Sequence, residues 1–230
     1  MMNTIIKPTL ILTAVAFIAA FVLSHVEKIT YPNILKQKKV KQDNALLLIL
    51  PGYKIVKENK TEIDHAAFHY WIGEKEVDGK PVKAYAFIAA SAGYGGPVES
   101  IVGVDENNRI LGISILNQTE TPGLGARCME IASQNTLFGK LTGVKNGDDG
   151  NMLPWFQEQF SGLSLDSGIN ILKKGDWSPA MKNELMERNA ITSITGATIT
   201  GRAVIRSLDS GFKKLQKALS AESNSAGGQK

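Results

Sequence analysis

The sequence has almost no cysteine and little histidine: Cys128 stands alone among 230 residues, and there are three histidines. One thiol excludes an intrachain disulfide, a C-x-x-C-H haem site and an iron–sulfur cluster held by this chain alone. His65 and His69 are four residues apart, but no third ligand and no H-E-x-x-H motif accompanies them. We therefore predict no metal site, and any cofactor must be held by groups other than sulfur.

Clustered charge of one sign is also missing. The formal net charge is +4, but the lysines and arginines are scattered rather than gathered with aromatic residues into a stripe, so nucleic acid is not an expected partner. No G-x-G-x-x-G sequence follows a predicted strand and opens a helix, which argues against a dinucleotide site. Hydrophobic residues make up 43% and charged residues 21% of the chain, a balance typical of a folded globular protein.

One long apolar run lies near the N-terminus. Residues 8–26 carry no formal charge, and a helix of that length spans about 28 Å, close to the hydrocarbon thickness of a bilayer. A cleaved signal peptide is the rival interpretation, but Ser24-His25-Val26 is a poor small-x-small cleavage site. We predict a retained transmembrane helix at 8–26 after an N-terminal tail at 1–7. Lysines on both sides of the run leave its orientation open.

The first half of the remaining chain predicts a helix followed by strands. A connecting helix is expected over 27–52, because an apolar segment ends there at Pro51-Gly52. Strands are predicted at 83–88, 98–104 and 110–116, and turn-forming residues between the last two indicate a β-hairpin. This pattern places an antiparallel sheet in the middle of the domain.

The second half predicts helices and a polar tail. Residues 154–160 suit a short amphipathic helix with buried aromatics, and a longer helix is predicted from Gly201. The apolar positions of the longer helix recur on one face: Val204, Leu208, Phe212, Leu215 and Leu219. The small polar residues 220–230 are expected to be disordered. Together these elements predict an α+β fold, with one domain at 53–219.

The segment Thr195-Gly196-Ala197-Thr198 precedes the predicted final helix. Threonine hydroxyls are good N-caps, and the free amides and dipole at a helix start favour an anion such as phosphate. Gly196 and Ala197 would let a ligand approach the backbone, and a threonine hydroxyl beside a bound phosphate is available for esterification. The ordinary alternative is an N-cap and turn without a ligand, and the pattern alone favours it.

A second segment, Glu120-Thr121-Pro122-Gly123-Leu124-Gly125, follows the predicted strand at 110–116. Pro122-Gly123 suits the centre of a type II turn, in which glycine takes a positive φ. A planar ring could lie against such a rigid edge, with Glu120 and Thr121 offering polar atoms and Leu124 an apolar contact. A turn that merely ends the strand is the simpler interpretation of this segment alone.

Taken together, these features make the sequence similar to the FMN-binding G subunits of Rnf electron-transport complexes. It is more distantly similar to the C subunits of sodium-translocating NADH:quinone reductases. The similarity covers nearly the whole chain, and ordered matches are more specific than any single motif. Besides the N-terminal span, the matching segments are Leu50-Pro51-Gly52-Tyr53, Gly93-Tyr94-Gly95-Gly96-Pro97-Val98, Glu120-Thr121-Pro122-Gly123-Leu124-Gly125, Trp155-Phe156-Gln157-Glu158-Gln159-Phe160 and Ile194-Thr195-Gly196-Ala197-Thr198-Ile199-Thr200.

The resemblance implies that Thr198 carries FMN as a phosphodiester made by a separate flavin transferase. It also implies that Lys173 or Lys174 approaches the ring, where a cation would stabilise the reduced form; an ordinary pair of surface lysines is the alternative. The family's transferase motif usually has an acidic residue where this chain has Thr192, so recognition by the transferase is in question. The other residues that it implies at the cofactor are Glu120, Thr121, Gly123, Leu124, Gly125, Thr195, Gly196 and Ala197.

The function that the resemblance implies is electron transfer. The chain would be one subunit of a membrane-bound, ion-translocating ferredoxin:NAD oxidoreductase, without a complete active site of its own. Its partners would be the other membrane and peripheral subunits, with the FMN domain on the extracytoplasmic side of the inner membrane. The alternatives are a stand-alone membrane-anchored FMN-dependent reductase, a subunit of a sodium-translocating NADH:quinone reductase, and a membrane scaffold in which Thr198 is only an N-cap.

Overall fold

The computed structural model describes residues 2–131 and 153–227. The helices in these ranges are α1 (Met2–Ile49), α2 (Trp155–Glu158), α3 (Lys182–Glu187) and α4 (Thr198–Gly227), with short 3-10 helices at Gly125–Met129 and Pro179–Met181. The strands are β1 (Lys54–Ile63), β2 (Ala66–Val77), β3 (Lys80–Ala92), β4 (Pro97–Asp105), β5 (Ile110–Asn117), β6 (Asn170–Leu172) and β7 (Ala190–Thr192). The predicted α+β class is confirmed.

The predicted transmembrane and connecting helices are one continuous helix, α1, which ends at Ile49 just before Pro51-Gly52. Its most apolar window has a mean hydropathy of 2.2, and none of that window is buried. Within residues 2–131 and 153–227, α1 is the one helix long and apolar enough to cross a membrane, judged by length and composition. The chain divides into compact units at Met1–Asp43 and Asn44–Lys230, so the last residues of α1 belong to the second unit.

Strands β1 to β5 form an antiparallel sheet in sequential order. The predicted hairpin is confirmed, because β4 and β5 pair with Gly103 opposite Gly112. The strand predicted at 83–88 is the centre of the longer β3. The sequence pattern does not predict β1 or β2. Strand β1 is exposed along nearly its whole length, so it lacks the apolar alternation by which a strand is recognised.

The two faces of this sheet pack against different helices. Phe87 and Val102 belong to the main core, which also contains the buried face of α4. Ala86 and Ile101, their neighbours along the strands, point to the opposite face and pack with the C-terminal end of α1. The approach of α1 is close there, since a Cβ added at Gly112 would lie 3.3 Å from the Cα of Ile49. The sheet is therefore the middle layer of the domain.

Helix α4 confirms the predicted apolar face and corrects its ends. Val204, Leu208, Phe212 and Leu215 are buried, and Leu219 packs partly buried against them. The helix begins at Thr198 rather than Gly201 and continues to Gly227, so the prediction of disorder is wrong for 220–227.

A tertiary contact explains why α4 continues past the apolar face. Glu222 Oε1 accepts hydrogen bonds from Lys57 Nζ at 2.8 Å and from Asn59 Nδ2 at 3.0 Å. Both donors lie on β1, so the polar end of the helix is held against the sheet edge. Residues 228–230 lie outside the described ranges.

The remaining elements cover the end of the sheet. The helix predicted at 154–160 is shorter, as α2, but its aromatics Trp155, Phe156 and Phe160 are buried as expected. Strands β6 and β7 pair in parallel and lead into α4.

His65 lies in the turn between β1 and β2, whereas His69 lies within β2 and its Nε2 is 2.9 Å from Glu58 Oε1. The two histidines therefore do not share a helix face.

Candidate functional site

A pocket of about 470 Å³ lies where the first turn of α4 meets the loop after β3 and the loop after β5. Because the strands are antiparallel, the end of β3 and the end of β5 lie at the same edge of the sheet. Both segments singled out from the sequence thus form walls of one pocket. The lining residues are Tyr94, Glu120, Thr121, Leu124, Gly125, Gly196, Ala197, Thr198, Ile199 and Thr200.

Glu120 joins these walls. Its side chain is buried, and Oε1 accepts hydrogen bonds from the backbone N–H groups of Tyr94 at 2.8 Å and Gly95 at 3.3 Å. The other oxygen, Oε2, accepts the hydroxyl of Thr200 at 2.8 Å. Both carboxylate oxygens are therefore occupied by donors inside the protein, which is the condition under which a buried acidic group is tolerated.

Two glycines leave room for the Glu120 carboxylate. A Cβ added at Gly93 would overlap Oε1 of Glu120, and one added at Gly125 would overlap Oε2. Any larger residue at either position would push the carboxylate out of its hydrogen bonds. Glycine is thus required at both positions by the space that the carboxylate occupies, and not only by the conformation of a turn.

The turn before α4 fixes the position of Thr198. The Ala197 N–H donates to the Ile194 carbonyl at 2.9 Å, and Gly196 has a φ of 76°, as the third residue of a type II turn requires. Thr198 is the first residue of α4 and is half-buried. Its Oγ1 lies 3.3 Å from Ser193 Oγ. The Thr198 side chain is therefore held at the pocket wall beside the helix N-terminus.

A charged network supports the same turn from outside the pocket. Asp176 Oδ1 accepts the Thr195 N–H at 3.0 Å, and Asp176 Oδ2 lies 2.9 Å from Nη2 of Arg127. Arg127 also pairs with Glu130 at 2.9 Å. Partial burial alone would raise the pKa of Asp176, but the Thr195 N–H and the Arg127 guanidinium outweigh burial and lower that pKa. Asp176 is thus held in its charged form.

Thr192, at the usually acidic motif position, is fully buried at the end of β7. Its hydroxyl donates to the Gly175 carbonyl, and its backbone N–H donates to Gln159 Oε1 at 2.8 Å. Gln159 Nε2 donates in return to the Thr192 carbonyl at 3.2 Å. In this chain the position is therefore part of the packed core and has a satisfied hydroxyl.

The pocket brings together most of the predicted site residues. Three predicted site residues are not among the lining residues: Gly123, Thr195 and Lys173. The side chain of Lys173 is exposed. Their predicted contact with the cofactor stays a prediction. Sequence reasoning missed Tyr94, Ile199 and Thr200 as wall residues. The signals available for Tyr94 were its position among the closely spaced glycines of the loop at 93–96 and the similarity of that segment to the family.

The pocket combines an apolar wall with an anion-binding end. Tyr94, Leu124 and Ile199 expose 74%, 45% and 48% of their surface, which is enough apolar area for a planar ring to cover. The first N–H groups of α4 have no intrahelical partner, and the helix dipole favours a phosphate beside Thr198. A ring with a phosphate-bearing side chain, such as FMN, fits this donor set. The pocket volume also falls in the range of small-molecule sites.

A family model matches the part of the chain that forms the pocket. A family model described as FMN-binding domain matches residues 93–213. The matched interval is more than half of the chain and contains every lining residue of the pocket. The chain therefore belongs to the family of FMN-binding domains.

Individual relatives are subunits of redox complexes. The G subunit of the proton-translocating ferredoxin:NAD(+) oxidoreductase complex of Clostridium ljungdahlii is 29% identical over 89% of this chain and 88% of its own length. The G subunit of the Na(+)-translocating ferredoxin:NAD(+) oxidoreductase complex of Acetobacterium woodii is 31% identical over 66% of this chain and 56% of its own length. The G subunit of the ion-translocating oxidoreductase complex of Pectobacterium atrosepticum is 27% identical over 90% and 88%.

A solved structure is also similar, at a lower level. The C subunit of the Na(+)-translocating NADH-quinone reductase from Parabacteroides distasonis has 19% sequence identity to this chain. The match covers 78% of this chain and 94% of that chain, with a TM-score of 0.48. The sequence relatives above are the more informative comparison.

Proposed function

We propose that this chain is the G-type electron-transfer subunit of a membrane-bound, ion-translocating ferredoxin:NAD oxidoreductase complex, and that it carries one FMN. The observation that carries the proposal is that both sequence motifs build the same pocket, inside the interval matched by the FMN-binding family. The similarity to G subunits over most of the chain supports the assignment to this kind of complex.

We further propose that the FMN phosphate is esterified to Thr198. Among the hydroxyl groups at this end of the domain, Thr200 is buried and donates to Glu120, and Ser193 is buried. Thr195 does not line the pocket, and Thr121 belongs to the opposite wall. Thr198 alone among these is a half-buried pocket-lining residue at the start of α4. A separate flavin transferase would form the bond from a flavin dinucleotide: the Thr198 oxygen bonds to the phosphorus of the FMN half, the phosphoanhydride breaks, a nucleoside monophosphate leaves, and the hydroxyl proton is released.

The residues of the chain would bind and orient the cofactor. FMN itself accepts and releases electrons one or two at a time, and the protein determines where the ring lies and how its potential is tuned. Leu124 and Ile199 offer apolar surface that excludes water from the ring, and Tyr94 offers an aromatic face. The free N–H groups at the start of α4 would hold the phosphate. A covalent bond would keep the cofactor in a pocket that opens to solvent.

The membrane context follows from α1. We propose that α1 anchors the chain in the inner membrane through the apolar run at 8–26, with the FMN domain on the extracytoplasmic side. The other membrane and peripheral subunits of the complex would supply the nucleotide site, the iron–sulfur clusters and the ion path. Cys128, the one cysteine, cannot hold a cluster by itself.

Flavin fluorescence of the denatured protein tests both the cofactor and its attachment. The full chain is co-expressed with a flavin transferase, denatured, separated on a gel and illuminated. We expect a fluorescent band from the wild-type chain and none from Thr198→Ala. Thr195→Ser is the matched control, since it alters the neighbouring threonine of the same turn but keeps a hydroxyl there, and it should keep the band. An equally bright Thr198→Ala band would overturn the attachment site, and a colourless wild-type preparation would overturn the function.

A further inference from the structure

The charge of the pocket lining has one sign. Among the described residues that line it, Glu120 is the only one with a formally charged side chain, and neither lysine nor arginine is present. Lys173, the cation expected near the ring, is exposed and outside the lining. The one formally charged side chain among these lining residues is therefore negative, opposite in sign to the cation that the resemblance led us to expect near the ring.

Both side-chain oxygens of Glu120 are held by hydrogen-bond donors. Its two oxygens receive the N–H groups of Tyr94 and Gly95 and the hydroxyl of Thr200, so every partner is a donor. These neutral partners stabilise the charge but do not cancel it. The cation of the adjacent 3-10 helix, Arg127, is occupied by ion pairs with Asp176 and Glu130. The negative charge of Glu120 thus lies at the pocket wall, and no lysine or arginine among the described lining residues cancels it.

We propose that the negative charge of Glu120 lowers the reduction potential of the flavin bound in this pocket. The inference rests on the proposed function, because it requires FMN at this site. A flavin ring gains negative charge whenever it takes up more electrons than protons, and a fixed carboxylate in a site of low dielectric opposes that change. A low potential suits a carrier that passes electrons on rather than retaining them.

The structural role of Glu120 can be separated from the effect of its charge. Glu120→Gln keeps the size of the side chain and an oxygen that accepts the Tyr94 N–H, but it removes the charge. Thr200→Val is the matched control: it deletes the hydrogen bond to Oε2 with almost no change of shape and keeps the carboxylate. Both variants weaken the link between the pocket walls, and only Glu120→Gln neutralises the pocket.

The experiment measures the midpoint potential of the full chain, purified in detergent after co-expression with a flavin transferase. The flavin absorbance is followed while the protein is reduced stepwise with dithionite in the presence of mediator dyes. We expect the midpoint of Glu120→Gln to shift upward relative to wild type, and the midpoint of Thr200→Val to stay unchanged or move slightly downward. Equal midpoints for wild type and Glu120→Gln, or equal upward shifts for both variants, would overturn the proposal.

A second variant keeps the proposal testable if Glu120→Gln fails to fold. Thr121 is exposed and also lines the pocket, so Thr121→Lys brings a positive charge to the wall without disturbing Glu120. We expect its midpoint to shift upward, whereas an unchanged midpoint would contradict an electrostatic effect of the wall. Absence of flavin from the wild-type chain would instead contradict the proposed function, so the two failures are distinguishable.

Discussion

Thr200 donates its hydroxyl to the carboxylate of Glu120 at 2.8 Å, although the two residues are 80 positions apart in the chain. This bond connects the loop after β5 to the first turn of α4. Because the other oxygen of Glu120 binds the loop after β3, one buried carboxylate joins all three segments that line the pocket. The geometry of the candidate flavin site therefore depends on a few contacts that can be changed one at a time.

Gly125→Ala tests the space reserved for the carboxylate. The added methyl group would overlap Oε2 of Glu120 and lie 2.5 Å from Oγ1 of Thr200, so the hydrogen bond between them cannot keep its geometry. We expect a loss of about 1–3 kcal/mol in the free energy of unfolding, together with reduced flavin content. Chemical denaturation and the absorbance of bound flavin measure the two effects.

Gly79→Ala is the control for that substitution. Gly79 has a φ of 75° in the turn between β2 and β3, with no atom within 4 Å of an added Cβ. The backbone strain costs about 1 kcal/mol, but the pocket is untouched, so flavin content should be normal. Equal loss of flavin in both variants would show that general destabilisation, and not the pocket, is responsible.

The ion pair between Arg127 and Asp176 predicts an acid-dependent contribution to stability. The folded state lowers the pKa of Asp176 below its value of about 3.9 in the unfolded chain. Because the pKa of Asp176 is lowered on folding, the stabilisation by the ion pair is present above the pKa of the unfolded chain. This stabilisation is lost as the pH falls through the pKa of the folded protein. We expect Arg127→Gln to be less stable than wild type at neutral pH, with the difference shrinking below about pH 4. A difference that is the same at pH 3 and pH 7 would contradict this account.

Cys128 is expected to be chemically silent in the folded protein. Burial, and then the negative charge of Glu120, raise the pKa of its thiol to about 12, and the side chain is fully buried. Since the thiolate is the reactive form, a disulfide reagent at pH 8 should react only after denaturation, with one thiol per chain. Rapid labelling of the native protein would show that the core around Cys128 opens in the folded state.

The same raised pKa has a consequence for alkaline stability. The stabilisation from burying the neutral thiol is fully present below the unfolded pKa of about 8.5 and is lost as the pH rises toward the folded value. Wild type should therefore lose stability relative to Cys128→Ala between about pH 8.5 and pH 12. Denaturation at several alkaline pH values measures this trend.

Patterns within short stretches of sequence predicted the apolar face of α4 and the hairpin of β4 and β5. The face of α4 was visible because Val204, Leu208 and Phe212 recur at helical spacing, and all three are buried. The hairpin of β4 and β5 was visible because turn residues separate two apolar runs. Strand β1 was missed because its residues are mostly exposed, and it is recognisable as a strand only through its pairing with β2.

Tertiary contacts explain what local pattern could not predict. The polar end of α4 looks disordered by composition, but it is helical where Glu222 reaches Lys57 and Asn59 on β1. The role of Glu120 is similar, because its partners come from two segments far from it in the sequence. Tyr94 lies at the pocket because of those same contacts. The motifs identified the two walls, and long-range hydrogen bonds determine how the walls meet.

Mass spectrometry of the peptide that contains Thr198 tests the central claim most directly. The chain is isolated from cells that assemble the complete complex, digested with a protease, and the peptide spanning the turn before α4 is sequenced by fragmentation. The account predicts the mass of FMN on this peptide, located by the fragments at Thr198. An unmodified peptide in a preparation that contains no flavin would contradict it.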